Sequence, residues 1–202
     1  MARIVLCGPS GIGKTTVAKE LAHIYRFPFV SGSYSDLIPI TRDLHQSDMI
    51  SKDPREIFSQ DMRLLGLRKK SYEKNPKMFS DRSPVDSIVQ GIYKLSPYLP
   101  SCDIDLLVKN GMEVIEKYIS AIIFLRYPSD LSKWNLEDNG KRVSNPYFQR
   151  MISTLYEDFL VHTLVPKLST PVLVVNSLDR SERIDRLREF IDNFIITPHE
   201  NS

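Results

Sequence analysis

The 202-residue chain is 42% hydrophobic and 26% charged, which is ordinary for a soluble globular protein and sufficient for one α/β domain. Its net charge of +2 is too small to indicate binding to nucleic acid or to an acidic membrane by itself, although it excludes neither. No apolar run reaches the length of a membrane span, and the N-terminus enters an apolar strand directly. We therefore expect neither a transmembrane helix nor a signal peptide.

The cysteine and histidine residues do not form a recognisable framework. Cys7 and Cys102 lack the spacing of a disulfide scaffold, and the four histidines are scattered without the spacing of metal ligands. We therefore expect a cytoplasmic protein with reduced thiols and no histidine-based metal site.

A glycine-rich stretch, Gly8–Thr15, follows the apolar run Ile4–Cys7 and matches the pattern G-x-x-x-x-G-K-[ST] in full. In such a loop the backbone N–H groups point at phosphate oxygens, the lysine adds a positive charge, and the hydroxyl can bind Mg²⁺. A helix predicted from Lys14 to about Tyr25 directs its positive end at the same anion. A glycine-rich turn without a ligand would leave Lys14 and Thr15 unexplained. The residues expected to bind the nucleotide are Gly8, Ser10, Gly11, Ile12, Gly13, Lys14, Thr15 and Thr16, with Thr15 also on the metal.

A second strand is predicted over Phe27–Val30, and a polar segment, Ser31–Asp36, follows it. Ligands of open parallel sheets bind outside the carboxyl ends of the strands, so Ser33, Tyr34 and Asp36 are candidate substrate-binding residues. The same residues could instead form a helix N-cap and a solvated loop.

The next segment, 37–53, contains Arg42 and is consistent with either a substrate-covering loop or a plain connector. A helix is predicted from Pro54 to Tyr72, with proline in its first turn. We interpret Arg68-Lys69-Lys70 as its solvated end, where cations suit the helix dipole. Three residues of this region are candidates for substrate binding: Arg42, Gln60 and Arg63.

The third predicted strand, Lys77–Ser80, runs into the charged element Asp81–Asp86. Asp81 could orient Mg²⁺ or accept a proton from an attacking hydroxyl, and Arg82 could hold phosphoryl oxygens in a bidentate fork. The later residues of the element also fit the capped start of a helix, an interpretation that leaves Asp81 and Arg82 unexplained. Asp86 is a further candidate for contact with the substrate.

The clearest buried strand, Ala121–Leu125, ends at Arg126, and a polar segment at about 129–146 contains the adjacent cations Lys141 and Arg142. A lid would carry such charge to a transferring phosphate, and an ordinary exposed loop is the alternative. A last strand is predicted over Pro171–Val175, with Asn176 and Leu178 in its exit loop. The remaining predicted helices are 85–93, 104–117, 146–164 and 181–194.

Five short buried strands separated by helices predict a single doubly wound α/β domain with a five-stranded parallel sheet over residues 1–197, followed by a frayed tail at 198–202. The chain lacks the D-x-x-G and [NT]-K-x-D motifs of guanine-nucleotide switches. It also lacks the Asp-Asp or Asp-Glu strand end that is usual in mechanical ATPases. Phosphotransfer to a small substrate remains as the interpretation.

The chain resembles P-loop nucleoside and nucleotide kinases, most closely the nicotinamide-riboside kinase domains and related bacteriophage kinases. The resemblance is carried by Gly8–Thr15, by Phe79–Asp86 and by the pattern Leu125–Pro128 followed by Lys141-Arg142. It implies that Arg82 contacts phosphate near the acceptor and that Arg142, with Lys141, clamps the transferring group.

Two further expectations follow from this resemblance. The exit loop of the last strand, Asn176–Asp179, with Asn176 and Leu178, would border the adenine, and Arg126 is a further candidate for nucleotide binding. Deoxynucleoside kinases commonly have a glutamate base at the end of the second strand, where this chain has Ser31-Gly32-Ser33. The base would therefore be Asp36 or Asp81, or no base is needed if the acceptor is already a phosphate.

The predicted activity is transfer of the γ-phosphoryl group of ATP, with Mg²⁺, to a nucleoside or nucleoside monophosphate. One alternative is a kinase of a hydroxymethylated pyrimidine such as 5-hydroxymethyluracil in phage DNA, with a basic groove at Arg63, Arg68, Lys69 and Lys70. A second alternative is an ATP-binding regulatory protein. The oligomeric state is left open, a homodimer being compatible, and no membrane partner is expected.

Overall fold

Parallel strands form the centre of the fold in a computed structural model, which describes residues 1–37, 53–128, 145–164 and 166–195. Arg42, Lys141, Arg142 and the predicted tail lie outside these residues. The strands are β1 (Ala2–Cys7), β2 (Phe29–Val30), β3 (Lys77–Ser80), β4 (Ala121–Leu125) and β5 (Val172–Val175). They pair in the order β2-β3-β1-β4-β5 with every pair parallel, which confirms the predicted sheet.

The central strand β1 sets the position of the phosphate loop between two neighbours. Val5 is in register with Ser80 of β3, and Cys7 is in register with Phe124 of β4. β2 is shorter than predicted because Pro28 has no N–H for the ladder, although its carbonyl accepts from the N–H of Phe79 at 3.0 Å.

Helices cover both faces of the sheet. They are α1 (Lys14–Tyr25), α2 (Tyr34–Leu37), α3 (Pro54–Lys74), α4 (Pro84–Leu95), α5 (Ser101–Tyr118), α6 (Pro146–Asp158) and α7 (Arg180–Ile195). The predicted helix 146–164 changes character along its length, since α6 continues as a π-helix over Phe159–Leu164. Throughout the described ranges, each helix is too short or too polar to cross a membrane.

Alternate residues of β1 point into two separate cores, which explains its unbroken apolar sequence. Ile4 and Leu6 face the core under α1 and α7, whereas Val5 and Cys7 face the core under α4, α5 and α6. Both cysteines have free thiols, Cys7 buried and Cys102 exposed. A third, smaller cluster joins α3, α4 and α5 through Ile57, Leu65, Leu95 and Leu107.

Candidate active site

The glycine-rich loop between β1 and α1 is packed closely against the end of β4. Gly8 has a φ of +134°, and a Cβ at this position would lie 2.4 Å from the carbonyl oxygen of Leu125, so a side chain does not fit. Gly13, with a φ of 89°, forms the N-cap of α1. The Ile12 side chain is buried in the core. At Gly8, Ile12 and Gly13 the loop therefore has only its backbone to offer to a ligand.

Lys14 folds back into this loop. Its Nζ donates to the carbonyl oxygens of Gly8 and Pro9, each at 2.6 Å. Burial, reinforced by the nearby charge of Arg82, lowers the pKa of Lys14 to about 7. A bound phosphate would favour the charged lysine, so this side chain is suited to respond to an anion.

Thr15 and Asp81 join α1 to the exit of β3. The Thr15 hydroxyl donates to Oδ2 of Asp81 at 2.6 Å, and the backbone N–H of Gly32 donates to Oδ1 at 3.0 Å. Asp81 is buried, whereas Thr15 is exposed. A hydroxyl and a carboxylate are the oxygen donors that Mg²⁺ prefers, so the donor set fits this ion. Among the described residues no group of three or more His, Cys, Asp or Glu could hold a metal, so phosphates and water would complete the coordination.

Arg82 follows Asp81 and is held by Asp86. Nη1 of Arg82 lies 3.4 Å from Oδ1 of Asp86, and the Tyr156 hydroxyl donates to the same oxygen at 2.8 Å. Oδ2 of Asp86 accepts from the N–H of Ser83 at 2.7 Å, as part of the capping box of α4, and also from the Ser83 hydroxyl at 3.1 Å. Burial works against the charge of Arg82, but Asp86, Tyr156 and Asp81 together outweigh it, so the pKa of the guanidinium is raised.

Asp86, predicted to contact the substrate, instead makes its hydrogen bonds within the protein. The residue is 4% exposed, and both carboxylate oxygens accept from groups of the protein itself. It therefore holds Arg82 and the start of α4, and it does not present an open oxygen to a substrate.

Arg68 contacts the exits of β2 and β3, a position that the sequence interpretation missed. The prediction of a solvated helix end is wrong for this residue, because Arg68 is 3% exposed while Lys69 and Lys70 are exposed. The helical spacing of the sequence could have indicated this burial, since Arg68 shares the inward face of α3 with Asp61, Leu65 and Tyr72. Its guanidinium donates to Gly32, Ser83 and Ser87.

Arg183 is a second missed residue, on the inward face of α7 with Leu187 and Ile191. Its Nη1 donates to the carbonyl of Ile12 at 3.0 Å, and its Nε donates to the carbonyl of Ser177. Burial lowers the pKa of Arg183. The Arg183 guanidinium thus joins the phosphate loop, at Ile12, to the exit loop of β5, at Ser177.

The remaining residues predicted to bind the nucleotide lie at the neighbouring exits of β4 and β5. The N–H of Arg126 donates to the carbonyl of Val175 at 3.0 Å, and its guanidinium lies 2.9 Å from the carboxylate of Glu157 in α6. Asn176 is exposed, and Leu178 packs against the core under α1 and α7.

A groove of about 530 Å³ begins at the first turn of α1 and is lined by Thr15, Thr16, Lys19, Glu20, His23 and Arg180.

The predicted acceptor residues lie at the exit of β2 and on α3. Ser33 caps α2, since its hydroxyl accepts from the N–H of Asp36 at 3.3 Å. Tyr34 begins that helix, and exposed Asp36 accepts from the hydroxyl of Ser31 at 2.5 Å. On α3, half-buried Gln60 donates to Glu56 at 2.9 Å and Arg63 is exposed. The N-cap interpretation thus describes the local structure, and binding of a substrate by these residues stays a prediction.

A model of the AAA domain family matches residues 3–183. No curated protein matches the chain in sequence. The structure of deoxyadenosine kinase from M. mycoides with bound dATP is similar with a TM-score of 0.66 at 16% identity, covering 95% of this chain and 100% of that chain. The structure of the NadR protein in complex with NR is similar with a TM-score of 0.62 at 15% identity, covering 100% of this chain and 51% of that chain.

Shikimate kinase from Acinetobacter baumannii in complex with shikimate gives a TM-score of 0.58 at 14% identity, covering 96% of this chain and 94% of that chain. At sequence identities this low, the similarity of these structures shows a shared fold only. It confirms the predicted fold class, a parallel α/β domain of the P-loop kinase type.

Proposed function

Because the chain belongs to the AAA domain family and shares the fold of P-loop nucleoside and nucleotide kinases, we propose that it transfers the γ-phosphoryl group of ATP to a nucleoside or nucleoside monophosphate. The contact of Thr15 with Asp81 carries this proposal, since it joins the phosphate loop to the strand exit that bears Arg82. The similar structures hold dATP, NR and shikimate, and these ligands support a small acceptor.

The donor half of the reaction uses the phosphate loop. Lys14 and the loop N–H groups hold the β- and γ-phosphates, and Thr15 with Asp81 would hold Mg²⁺. When bound, the ion would neutralise negative charge on the phosphate oxygens of the nucleotide. Arg126, Asn176 and Leu178 border the adenine in this proposal.

In the transfer, an acceptor oxygen forms a bond to the γ-phosphorus as the bond to the β,γ-bridging oxygen breaks, and ADP leaves. Arg82 neutralises charge on the moving phosphoryl group. Lys141 and Arg142, outside the described residues, are proposed to assist it. The acceptor would lie near Ser33, Tyr34, Arg42, Gln60 and Arg63.

The proton of an acceptor hydroxyl would go to Asp36. Asp81 is less suited to this role, because it is proposed to hold Mg²⁺ together with Thr15. An acceptor that is already a phosphate needs no base, so a pH profile with a nucleoside and with a monophosphate would separate the two cases.

The alternative with DNA as substrate has less support. Of the four cations predicted to form its basic groove, Arg68 is buried and bonded to three protein groups. Arg63, Lys69 and Lys70 are exposed. DNA that contains 5-hydroxymethyluracil is therefore kept as one arm of the test.

The test incubates the protein with γ-labelled ATP and a panel of nucleosides, monophosphates and modified-base DNA. We expect label on a nucleoside or a monophosphate, and Arg82→Ala lowers turnover on the order of 10³-fold while the affinity for ATP stays within a few fold. Arg186→Ala, which removes an exposed arginine of α7, is the matched control. Slow hydrolysis without any labelled acceptor would favour the regulatory protein, and near-normal turnover of Arg82→Ala would remove the role of that arginine.

A further inference from the structure

We propose that Arg68 is a positioning residue for the metal-binding and phosphoryl-binding side chains. Its guanidinium fixes the exit loops of β2 and β3 against each other, and so sets the orientation of Asp81 and Arg82. The inference rests on the proposed function in that these two side chains are given their roles there.

Arg68 reaches both loops from α3. Nη2 donates to the carbonyl of Gly32 at 2.9 Å, beyond the end of β2. Nη1 donates to the carbonyl of Ser83 at 2.8 Å and to the hydroxyl of Ser87 at 2.6 Å, at the start of α4. The planar fork of a guanidinium can satisfy such divergent acceptors at fixed angles, which a lysine cannot do.

Gly32 transmits this constraint to Asp81. Its carbonyl accepts from Arg68, and its N–H donates to Oδ1 of Asp81 at 3.0 Å. With Oδ1 held in this way, Oδ2 is directed at the hydroxyl of Thr15. The packing is tight, because a Cβ at Gly32 would lie 2.8 Å from Cβ of Arg82.

Ser83 transmits the constraint to Arg82. Its carbonyl accepts from Arg68, while its N–H donates to the Asp86 carboxylate that also pairs with Arg82. The peptide groups on both sides of Ser83 are therefore fixed, one by a cation and the other by an anion.

The burial of Arg68 argues for a role beyond packing. Its side chain is almost fully enclosed, and its hydrogen bonds within the described residues go to two carbonyls and a hydroxyl, none of them a carboxylate. Enclosing a guanidinium whose hydrogen bonds go to neutral acceptors, with Asp61 as the nearby carboxyl, costs desolvation energy that an apolar residue would avoid. Outer residues that orient metal ligands commonly change metal affinity when they are replaced.

The test measures Mg²⁺-dependent binding of a non-hydrolysable ATP analogue by calorimetry, with Arg68→Ala and Arg68→Lys. We expect the Mg²⁺ concentration for half-saturation to rise roughly 10-fold or more in both variants. We expect binding of the analogue in EDTA to stay within about twofold, since the phosphate loop is intact. Lys69→Ala, which removes the adjacent exposed cation, is the matched control.

Low millimolar guanidinium restores the Mg²⁺ response of Arg68→Ala if the missing group acts by position. Where Arg68→Ala does not fold, Arg68→Lys carries the measurement. An unchanged Mg²⁺ requirement in either folded variant, or an equal loss of binding in EDTA, would overturn the proposal. Because no acceptor is needed, a failed label-transfer assay rejects the kinase function without affecting this result.

Discussion

The hydroxyl of Thr15 and the carboxylate of Asp81 lie 2.6 Å apart, although 66 residues separate them in the chain. The contact brings the first turn of α1 and the exit of β3 to one point. It also explains why both residues are suited to the same ion, since each supplies one oxygen.

The first prediction concerns this pair. Asp81→Asn keeps the shape of the side chain but removes its charge, so we expect the affinity for Mg²⁺ in the presence of nucleotide to fall roughly 10-fold or more. Thr15→Val lowers it as well, whereas Thr15→Ser retains it because the oxygen remains. A Mg²⁺ titration with a fluorescent ATP analogue measures each variant. Equal Mg²⁺ requirements for Thr15→Val and Thr15→Ser would contradict the assignment.

The second prediction concerns proton uptake by Lys14. The pKa of its amine is about 7 without a ligand, and bound phosphates raise it. Above pH 7 the free amine must gain a proton on binding, so we expect ADP to bind with uptake of up to one proton at pH 8. The affinity then falls by up to about tenfold per pH unit, and below pH 7 the uptake disappears.

Calorimetry in Tris and in HEPES at pH 8 counts these protons, because the two buffers release different heats on ionisation. ADP is already fully ionised at this pH, so the uptake reports on the protein. A buffer-independent heat of binding at pH 8 would show that Lys14 is charged before the nucleotide arrives.

The third prediction compares two tyrosines that both donate to a carboxylate. Tyr156 is buried and donates to Asp86 at 2.8 Å, whereas Tyr118 donates to Glu73 at 2.7 Å at the surface. Tyr156→Phe leaves a buried carboxylate short of one donor, so we expect a loss of roughly 1.5–3 kcal/mol in the free energy of unfolding. Tyr118→Phe is expected to cost less than about 0.5 kcal/mol. Urea unfolding of both variants checks the difference, and similar losses would argue against it.

The fourth prediction concerns Asp61, which is 4% exposed and whose Oδ2 has no hydrogen-bond partner among the described residues. Burial raises the pKa of this carboxyl, and the charges of Lys94 and Arg68 oppose the shift only in part. The folded state therefore binds a proton more tightly than the unfolded state. Stability contributed by the protonated form is present below pH 3.8 and is lost as the pH rises through the folded pKa.

We expect Asp61→Asn to raise the free energy of unfolding at pH 7 by about 1 kcal/mol, because the cost of burying a charge is removed. Near pH 3 the gain disappears. Asp105→Asn, at an exposed position of α5, serves as the control and is expected to change little. Denaturant unfolding at several pH values measures the difference, and a gain that does not depend on pH would exclude this cause.

The parts of the site that depend on local sequence were predictable. The phosphate loop follows from a strand, three glycines and a helix start, and Asp81 with Arg82 follows from a strand end. Arg68 and Arg183 were not predictable in the same way, because their partners are backbone carbonyls 36 and 171 residues away. The sequence indicated only that a charged residue lies on the inward face of a helix. The partners of that residue depend on which loops and strands pack against the helix.

Asp86 illustrates the same limit. Its place in the first turn of a helix predicted a cap, and the capping box confirms that interpretation. The donor from Tyr156, 70 residues further along, could not be inferred, because the approach of α6 to α4 depends on the order of the strands.

The order of the strands also determines when the nucleotide site can form. The glycine-rich loop is synthesised before either neighbour of β1, since these neighbours are residues 77–80 and 121–125. β2 is synthesised next and pairs with β3 instead. The glycine-rich loop therefore lacks both neighbouring strands until residue 125 has left the ribosome. Contacts at such sequence separations make folding slow, so nucleotide can stabilise the product of folding but cannot guide its first steps.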